Sequence, residues 1–261
     1  LVFPQYFPAG IRGYINLFFQ KRALANTDFI ICDSQASKDD VINKLSYPSE
    51  KIHIVYLAAG KNFKKLEDQK VLQTIRRKFH LPKEFALYVG DVNWNKNIEG
   101  LITTIAQIKI PTVLVGKAIT DNNLEPVKKI NKLIRRLDLE DIVTRTGYVA
   151  EDDLVAIYNL ATVTVLPSFY EGFGLPALES MACGTPVVCS KAGSLKEIAT
   201  GSAIFCDPAD PADIASKIKL VVNLSKSQRE TLANRSQKHS AKFTWEKTAE
   251  QTVAIFKKFL K

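Results

Sequence analysis

Two carboxylates flank a tight turn in the stretch PSFYEGFGLPALESMACGTPVV, residues 167–188. Glu171 precedes the turn Gly172-Phe173-Gly174-Leu175, and Glu179 follows just after Pro176. Proline suits the first positions of a helix, where its missing N–H costs nothing, so a helix is expected from about residue 176. Glycines let the chain bend sharply and let a ligand approach the main chain closely. The N–H groups at a helix start favour an anion such as phosphate. Carboxylates accept hydrogen bonds from hydroxyls, and a sugar or a ribose offers adjacent ones. A diphosphate flanked by two hydroxyl-rich rings would use all of these features. Local chemistry alone leaves a plainer reading equally open, in which Glu179 complements the helix dipole and Glu171 is a solvated loop residue.

Other reactive groups give no competing site. The four cysteines, Cys32, Cys183, Cys189 and Cys206, lie in largely apolar stretches and form no C-x-x-C pair, so they read as buried, reduced thiols of a cytoplasmic protein. The three histidines, His53, His80 and His239, are scattered, and none neighbours an obvious nucleophile. Neither a metal site nor a catalytic triad is expected. The formal net charge of +9 invites anionic partners. Its densest run is Lys128, Lys129, Lys132, Arg135 and Arg136, interleaved with Val127, Ile130, Ile134 and Leu137 at helical spacing. That pattern is an amphipathic helix with a basic outer face: a solvated surface, or a peripheral contact with an anionic membrane. No RNA-binding signature accompanies it, and nucleic acid is not expected as a partner. No run approaches the ~18 apolar residues of a membrane span.

The elements that must position the turn alternate along the chain. Short β-branched runs at 28–34, 51–57, 85–90, 111–116, 141–147, 162–167, 186–190 and 203–207 read as strands. Helical patterns fall between most of them, near 97–108, 125–137, 151–160 and from about 176. Strands alternating with helices imply an α/β fold with a parallel sheet and right-handed crossovers. Residues 59–242 read as one complete doubly wound, Rossmann-like domain, entered through a linker at 58–69. Residues 1–58 carry only two such strands and begin at Leu1, so they read as the end of an incomplete α/β domain and the chain as a fragment. Residues 243–261 read as a terminal helix, capped by Thr244, whose Val253, Phe256 and Leu260 would dock on that first part. The early aromatics Phe3, Tyr6, Phe7, Tyr14, Phe18 and Phe19 read as core or domain interface, with an exposed acceptor- or membrane-contacting edge as the alternative. Ligands of open parallel sheets bind beyond the carboxyl ends of the strands. Four motifs sit there: GDVNWNKN (90–97), GK (116–117), GYV (147–149) and PSFYEGFGLP (167–176).

The P-S…E-G-F-G-L-P…E-x-M-A-x-G-x-P-V-V run resembles the signature of the retaining GT-B glycosyltransferases of the group 1, or family four, class. The resemblance extends to ALYVGDVNWNKNIEGLI, VTRTGYVAEDDLVAIYNLATVTVLPS, FTWEKTAEQT and DFIICDSQASKDDVI…KIHIVYLAAG, and so covers nearly the whole chain. It implies a GT-B fold and a nucleotide-sugar donor (UDP-, GDP- or ADP-linked). Glu171 would then touch donor-sugar hydroxyls and Glu179 would hold the ribose. The main chain of Gly172, Phe173, Gly174 and Leu175 would face the sugar and diphosphate, and Gly147, Tyr148 and Val149 the base. Lys96, after the strand that ends at Gly90, would bind the diphosphate and act with Glu171 in catalysis. No cofactor and no metal are implied. The reaction implied is transfer, with retention at the anomeric carbon, to a polysaccharide, glycolipid or lipid-linked saccharide, as in the building of cell-surface polysaccharide.

One residue departs from the pattern. Many relatives carry arginine after the strand's glycine, and here Asp91 follows Gly90. A carboxylate there must point away, hold Lys96 or a sugar hydroxyl, or weaken activity; Lys117 is a candidate replacement contact to phosphate. Two further readings follow: a non-catalytic nucleotide-sugar-binding accessory subunit, and an epimerase of the same fold. The family's acceptor site and its histidine belong to an amino-terminal domain, with LVFPQYFP resembling the segment just beyond that histidine. The chain alone is therefore expected to bind nucleotide-sugar weakly and to transfer poorly.

Overall fold

The computed structural model describes residues 10–259. The chain packs into two compact units, Leu1–Leu57 with Thr244–Lys261, and Ala58–Phe243.

The first unit contains α1 (Gly10–Ala25), β1 (Ile30–Cys32), α2 (Gln35–Leu45) and β2 (Ile52–Ile54). β1 and β2 pair in parallel, Ile30 opposite Ile52. Ser34 caps α2 by accepting from the Ser37 amide. The helix Trp245–Phe259 belongs to the same unit, where Phe259 stacks on Phe29 at 4.4 Å between centroids and Phe256 meets it edge-on at 5.4 Å. Its buried residue is Ile255, whereas Val253, expected in the docked face, is half exposed. Tyr14, Phe18 and Phe19 stand exposed on α1 and are not part of a core. Phe3, Tyr6, Phe7 and Leu260 lie outside the described residues.

The second unit runs α3 (Gln69–Lys78), β3 (Ala86–Val89), α4 (Ile98–Ile108), β4 (Thr112–Val115), α5 (Glu125–Arg136), β5 (Val143–Gly147) and α6 (Glu151–Leu160). It continues with β6 (Val163–Leu166), α7 (Leu175–Ala182), β7 (Val187–Ser190), α8 (Leu195–Ala199), β8 (Ile204–Cys206), α9 (Pro211–Val222) and α10 (Lys226–Ser240); the terminal helix of the first unit is α11. All six strands are parallel, in the order β5-β4-β3-β6-β7-β8. Every residue of β4, β6 and β7 is buried, the polar Thr112, Thr164 and Ser190 among them, as expected of strands covered on both faces. One face packs α4, α5 and α9 through Leu101, Ile102, Val127, Ile134 and Ile218. The other packs α3 and α6 through Leu72, Ile75, Ile157 and Tyr158.

Residues 58–69 are not a loose linker. Phe63 is buried against Tyr158, with ring centroids 5.9 Å apart, and the Leu66 amide donates to Asn159 at 2.8 Å. The segment leads directly into α3, whose start Asp68 caps. Lysines and a short apolar repeat hid this packing, because its partners lie about 90 residues away in sequence.

The topology fixes where a ligand can enter. From β3 the chain winds outward through β4 to β5, then returns to lay β6 on the other side of β3. Connections on either side of that junction diverge and leave a crevice beyond the carboxyl ends of β3 and β6.

Candidate functional site

The loops after β3 and β6 meet at this crevice and are laced together. The Phe169 amide donates to the Asn95 carbonyl at 2.7 Å, and the Asn95 side chain donates to the Tyr170 carbonyl at 3.0 Å. Buried Asn97 donates to the carbonyls of Pro167 and Pro208 at 3.0 and 2.7 Å. This lacing brings Lys96 Nζ to 2.7 Å from Glu171 Oε2. Ser168 Oγ donates to the other carboxylate oxygen, Oε1, also at 2.7 Å. The side chains of Lys96 and Glu171 are only 21% and 9% exposed, so their attraction is weakly screened.

The backbone behind Glu171 is held by close approach. Its carbonyl accepts from the Ser194 amide and hydroxyl, and the Phe173 carbonyl accepts from the same hydroxyl at 2.6 Å. Gly193 makes this possible: a Cβ there would lie 2.1 Å from the Glu171 carbonyl oxygen, and its φ of +58° also disfavours a side chain. Gly174 adopts φ +94° and starts α7, with Pro176 in the first turn. The buried Phe173 ring anchors the turn, and the α7 amides open toward the crevice end of the sheet.

Glu179 lies one turn into α7 and accepts from the Tyr158 hydroxyl at 2.8 Å. Burial raises its carboxyl above the ordinary carboxylate range; the Tyr158 bond opposes this and the Glu151 charge adds to it. Tyr158 is held well above an ordinary phenol by burial and by Glu179, and therefore stays a donor. Tyr88 is raised in the same way, by burial and then by the charges of Glu171 and Asp91.

Asp91 does not meet Lys96: it is exposed at the end of β3 and is held by its own loop. Its carboxylate accepts from the Val92 amide at 2.8 Å, while its carbonyl accepts from the Tyr88 hydroxyl at 2.7 Å. It shapes the β3 loop, and Glu171 is the partner of Lys96.

Gly90, Asp91, Tyr148 and Val149 line a separate cleft of ≈ 670 Å³ at the ends of β3, β4 and β5. Its walls are apolar, from Val89, Val115, Leu124 and Leu154. Lys117 lines this cleft rather than joining Lys96, and Asp121 lies with it. Gly147, at φ +72°, closes β5 next to the cleft. The expected residues thus fall into three places: the β3–β6 crevice (Lys96, Glu171 and the turn from Gly172 to Leu175), the α7–α6 contact (Glu179), and the β3–β5 cleft. Sequence reasoning missed Asn97, Ser168, Tyr158 and Asp121. Only Ser168, three residues before Glu171, carried a local signal.

All four cysteines are buried free thiols; burial pushes Cys183 and Cys206 up to about 12. Among the described residues, no helix is long and apolar enough to cross a membrane.

The family model described as "Glycosyl transferases group 1" matches residues 72–239. The chain belongs to the group 1 glycosyltransferases. Within that family it is 29% identical over 260 residues to the O-antigen chain mannosyltransferase B of Escherichia coli, covering 97% of this chain and 66% of the relative. It is likewise 29% identical to the MMP alpha-(1->4)-mannosyltransferase of Mycolicibacterium hassiacum, covering 94% of this chain and 57% of the relative. The chain therefore spans no more than about two thirds of the length of these curated relatives. Among solved structures, sucrose-phosphate synthase from Thermosynechococcus elongatus superposes with a TM-score of 0.82 at 27% identity, over 97% of this chain and 63% of that one. The Anabaena protein HepE, solved in complex with UDP and glucose, gives 0.84 at 22% identity, over 93% and 67%. The fold of this group 1 chain is the α/β GT-B type, with the parallel Rossmann-like sheet described above.

Proposed function

We propose that this chain binds a nucleotide-sugar and provides the donor half of a retaining, metal-independent hexosyl transfer. The observation that carries the reading is the ion pair of Lys96 with Glu171 at the topological switch point, beside the start of α7. In this reading the diphosphate lies between the Lys96 ammonium and the α7 amides, Glu171 and the main chain of Gly172–Leu175 face the sugar, and Glu179 holds the ribose. The base occupies the cleft at Tyr148 and Val149. The names of two relatives favour mannose as the transferred group.

The chemistry asks little of the protein beyond charge and position. As the bond from the anomeric carbon to the phosphate oxygen breaks, negative charge grows on the diphosphate. A fixed ammonium and a helix start stabilise it there, without reorganisation at the moment of reaction. The acceptor hydroxyl forms the new bond on the same face and gives its proton to the departing phosphate oxygen. Glu171, gripped by Ser168 and Lys96, orients the sugar and forms no covalent intermediate. The acceptor is a glycan or lipid-linked saccharide, and the exposed cations of α5 would meet an anionic membrane surface.

Thermal shift with UDP-, GDP- and ADP-sugars tests the donor site. A ligand at 100 times its Kd stabilises by about 2.7 kcal/mol, and Glu179→Ala should lose that shift. If no nucleotide-sugar stabilises the protein, the reading is wrong. Transfer unaffected by a chelator would support metal independence, and abolished transfer would refute it.

A further inference from the structure

The β3–β5 cleft has the chemistry of a base pocket with a preference. Its walls are apolar, from Val89, Val115, Leu124, Val149 and Leu154, and the Tyr148 ring stands 74% exposed at its rim. Such walls suit any planar heterocycle and choose none. Three charged side chains line the same space: Asp91, Lys117 and Asp121. Asp91 is committed to its own loop, accepting from the Val92 amide and, at 3.4 Å, from the Asn93 side chain. Asp121 lends one oxygen, Oδ1, to the Asn123 amide at 3.0 Å, which orients the carboxylate and leaves Oδ2 available. The Asp121 amide donates to the Ala118 carbonyl at 3.1 Å, so the acid sits on a defined turn after β4. Lys117 opens that same turn, directly after Gly116.

We infer that this cleft selects guanine, with Asp121 as the reading residue. The argument rests on the donor-site reading above and extends it to the base. A carboxylate can only accept hydrogen bonds. Guanine presents two adjacent donors, N1–H and the N2 amino group, which match a carboxylate. It also presents two acceptors, O6 and N7, on its other edge, which match an ammonium. Uracil offers a single N–H between two carbonyl oxygens, so a carboxylate that approaches it meets like partial charge on both sides. Adenine has a lone amino donor next to the ring acceptor N1, which a carboxylate would leave unpaired. A cleft that supplies the free Asp121 oxygen and the Lys117 ammonium beside apolar walls therefore holds a partner for both kinds of group that guanine presents, and fewer for uracil or adenine. Sites built to hydrogen-bond a group reject analogues that lack it, because the site's own polar groups are left unpaired.

The test is calorimetric titration of the protein with GDP, UDP and ADP, for the wild type, Asp121→Asn and Lys117→Met. Circular dichroism checks that each variant folds. GDP is expected to bind at least about tenfold more tightly than UDP or ADP, as one well-matched bidentate contact can discriminate. In Asp121→Asn the ratio of GDP to UDP affinity should collapse toward one. The ratio matters because removing a carboxylate strengthens the binding of every diphosphate alike. Lys117→Met should also lower the ratio relative to wild type, by less than Asp121→Asn does. Tighter binding of UDP or ADP by the wild type would overturn the choice of guanine while leaving the donor site intact. A GDP preference that survives Asp121→Asn would overturn the role of Asp121. Failure of all three nucleotides to bind would instead remove the donor-site reading on which the inference stands.

Discussion

The Lys96–Glu171 pair can be weighed by a double-mutant cycle. At 2.7 Å, in an effective dielectric of about 20, the two charges attract by about 6 kcal/mol, before the cost of taking each from water is subtracted. Exposed pairs net about 0–1 kcal/mol, whereas stripping one partner from a buried pair costs about 3–5 kcal/mol. With the carboxylate 9% and the lysine 21% exposed, this pair lies between those limits but nearer the buried one. Lys96→Met should therefore cost about 2–4 kcal/mol, because Glu171 keeps only the Ser168 hydroxyl as an opposing donor. At roughly 2–4 °C per kcal/mol for a unit of this size, its Tm falls by roughly 4–16 °C. Glu171→Gln should cost less, about 1 kcal/mol, since the longer Lys96 side chain can turn toward water. The double variant Lys96→Met/Glu171→Gln should recover to within about 1 kcal/mol of wild type, giving a coupling of about 2–5 kcal/mol. Urea unfolding of the four proteins at neutral pH measures it. All three variants should lose the thermal shift given by a nucleotide-sugar, so stability returns in the double variant and binding does not. Additive single effects, with coupling under about 0.5 kcal/mol, would refute the claim that the site holds a desolvated pair.

Three further outcomes follow from particular contacts. Glu179 has a carboxyl raised by burial, so its charged form costs folding free energy above the unfolded-state value, and that cost is relieved as pH falls through the raised value. Glu179→Gln should then raise Tm at neutral pH, lose that gain in acid and still weaken donor binding; melts across pH that show destabilisation at neutral pH would contradict it. Gly193→Ala would set a Cβ 2.1 Å from the Glu171 carbonyl oxygen at an unfavourable φ, costing about 1–3 kcal/mol and, through a displaced Glu171, about a hundredfold in transfer rate. On vesicles containing phosphatidylglycerol, Lys129→Gln and Lys132→Gln should each weaken binding by about fivefold, as expected for about 1 kcal/mol per cation, and unchanged co-sedimentation would remove α5 from the membrane contact.

The legible part of this fold is the part written locally. β4, β6 and β7 are buried on both faces, so each announces itself as a short run rich in β-branched residues. α5 shows in its spacing of Val127, Ile130 and Ile134. α1, α3, α8, α9 and α10 were not read as helices. α8 spans only Leu195–Ala199, too short for a periodic signal, and α10 buries little more than Leu232, Ser236 and Ser240 along fifteen residues. The turn from Glu171 to Pro176 was visible because glycine, proline and carboxylate each have a local reason to be there.

By itself, then, the sequence determined an alternating parallel α/β chain with an anion-suited turn between two carboxylates, and the group 1 pattern that turn belongs to. It assigned Glu171 to the sugar and Lys96 to the diphosphate, both as catalytic residues. Only the tertiary structure decided that they touch, because they lie 75 residues apart and meet through strand order, β6 being laid against β3. The same holds for Tyr158 beneath Glu179, for Asp91 turned into its own loop, and for Asp121 in the cleft with Tyr148. Periodicity and turn chemistry are properties of neighbouring residues, whereas a site at a switch point is a property of which strands end up side by side.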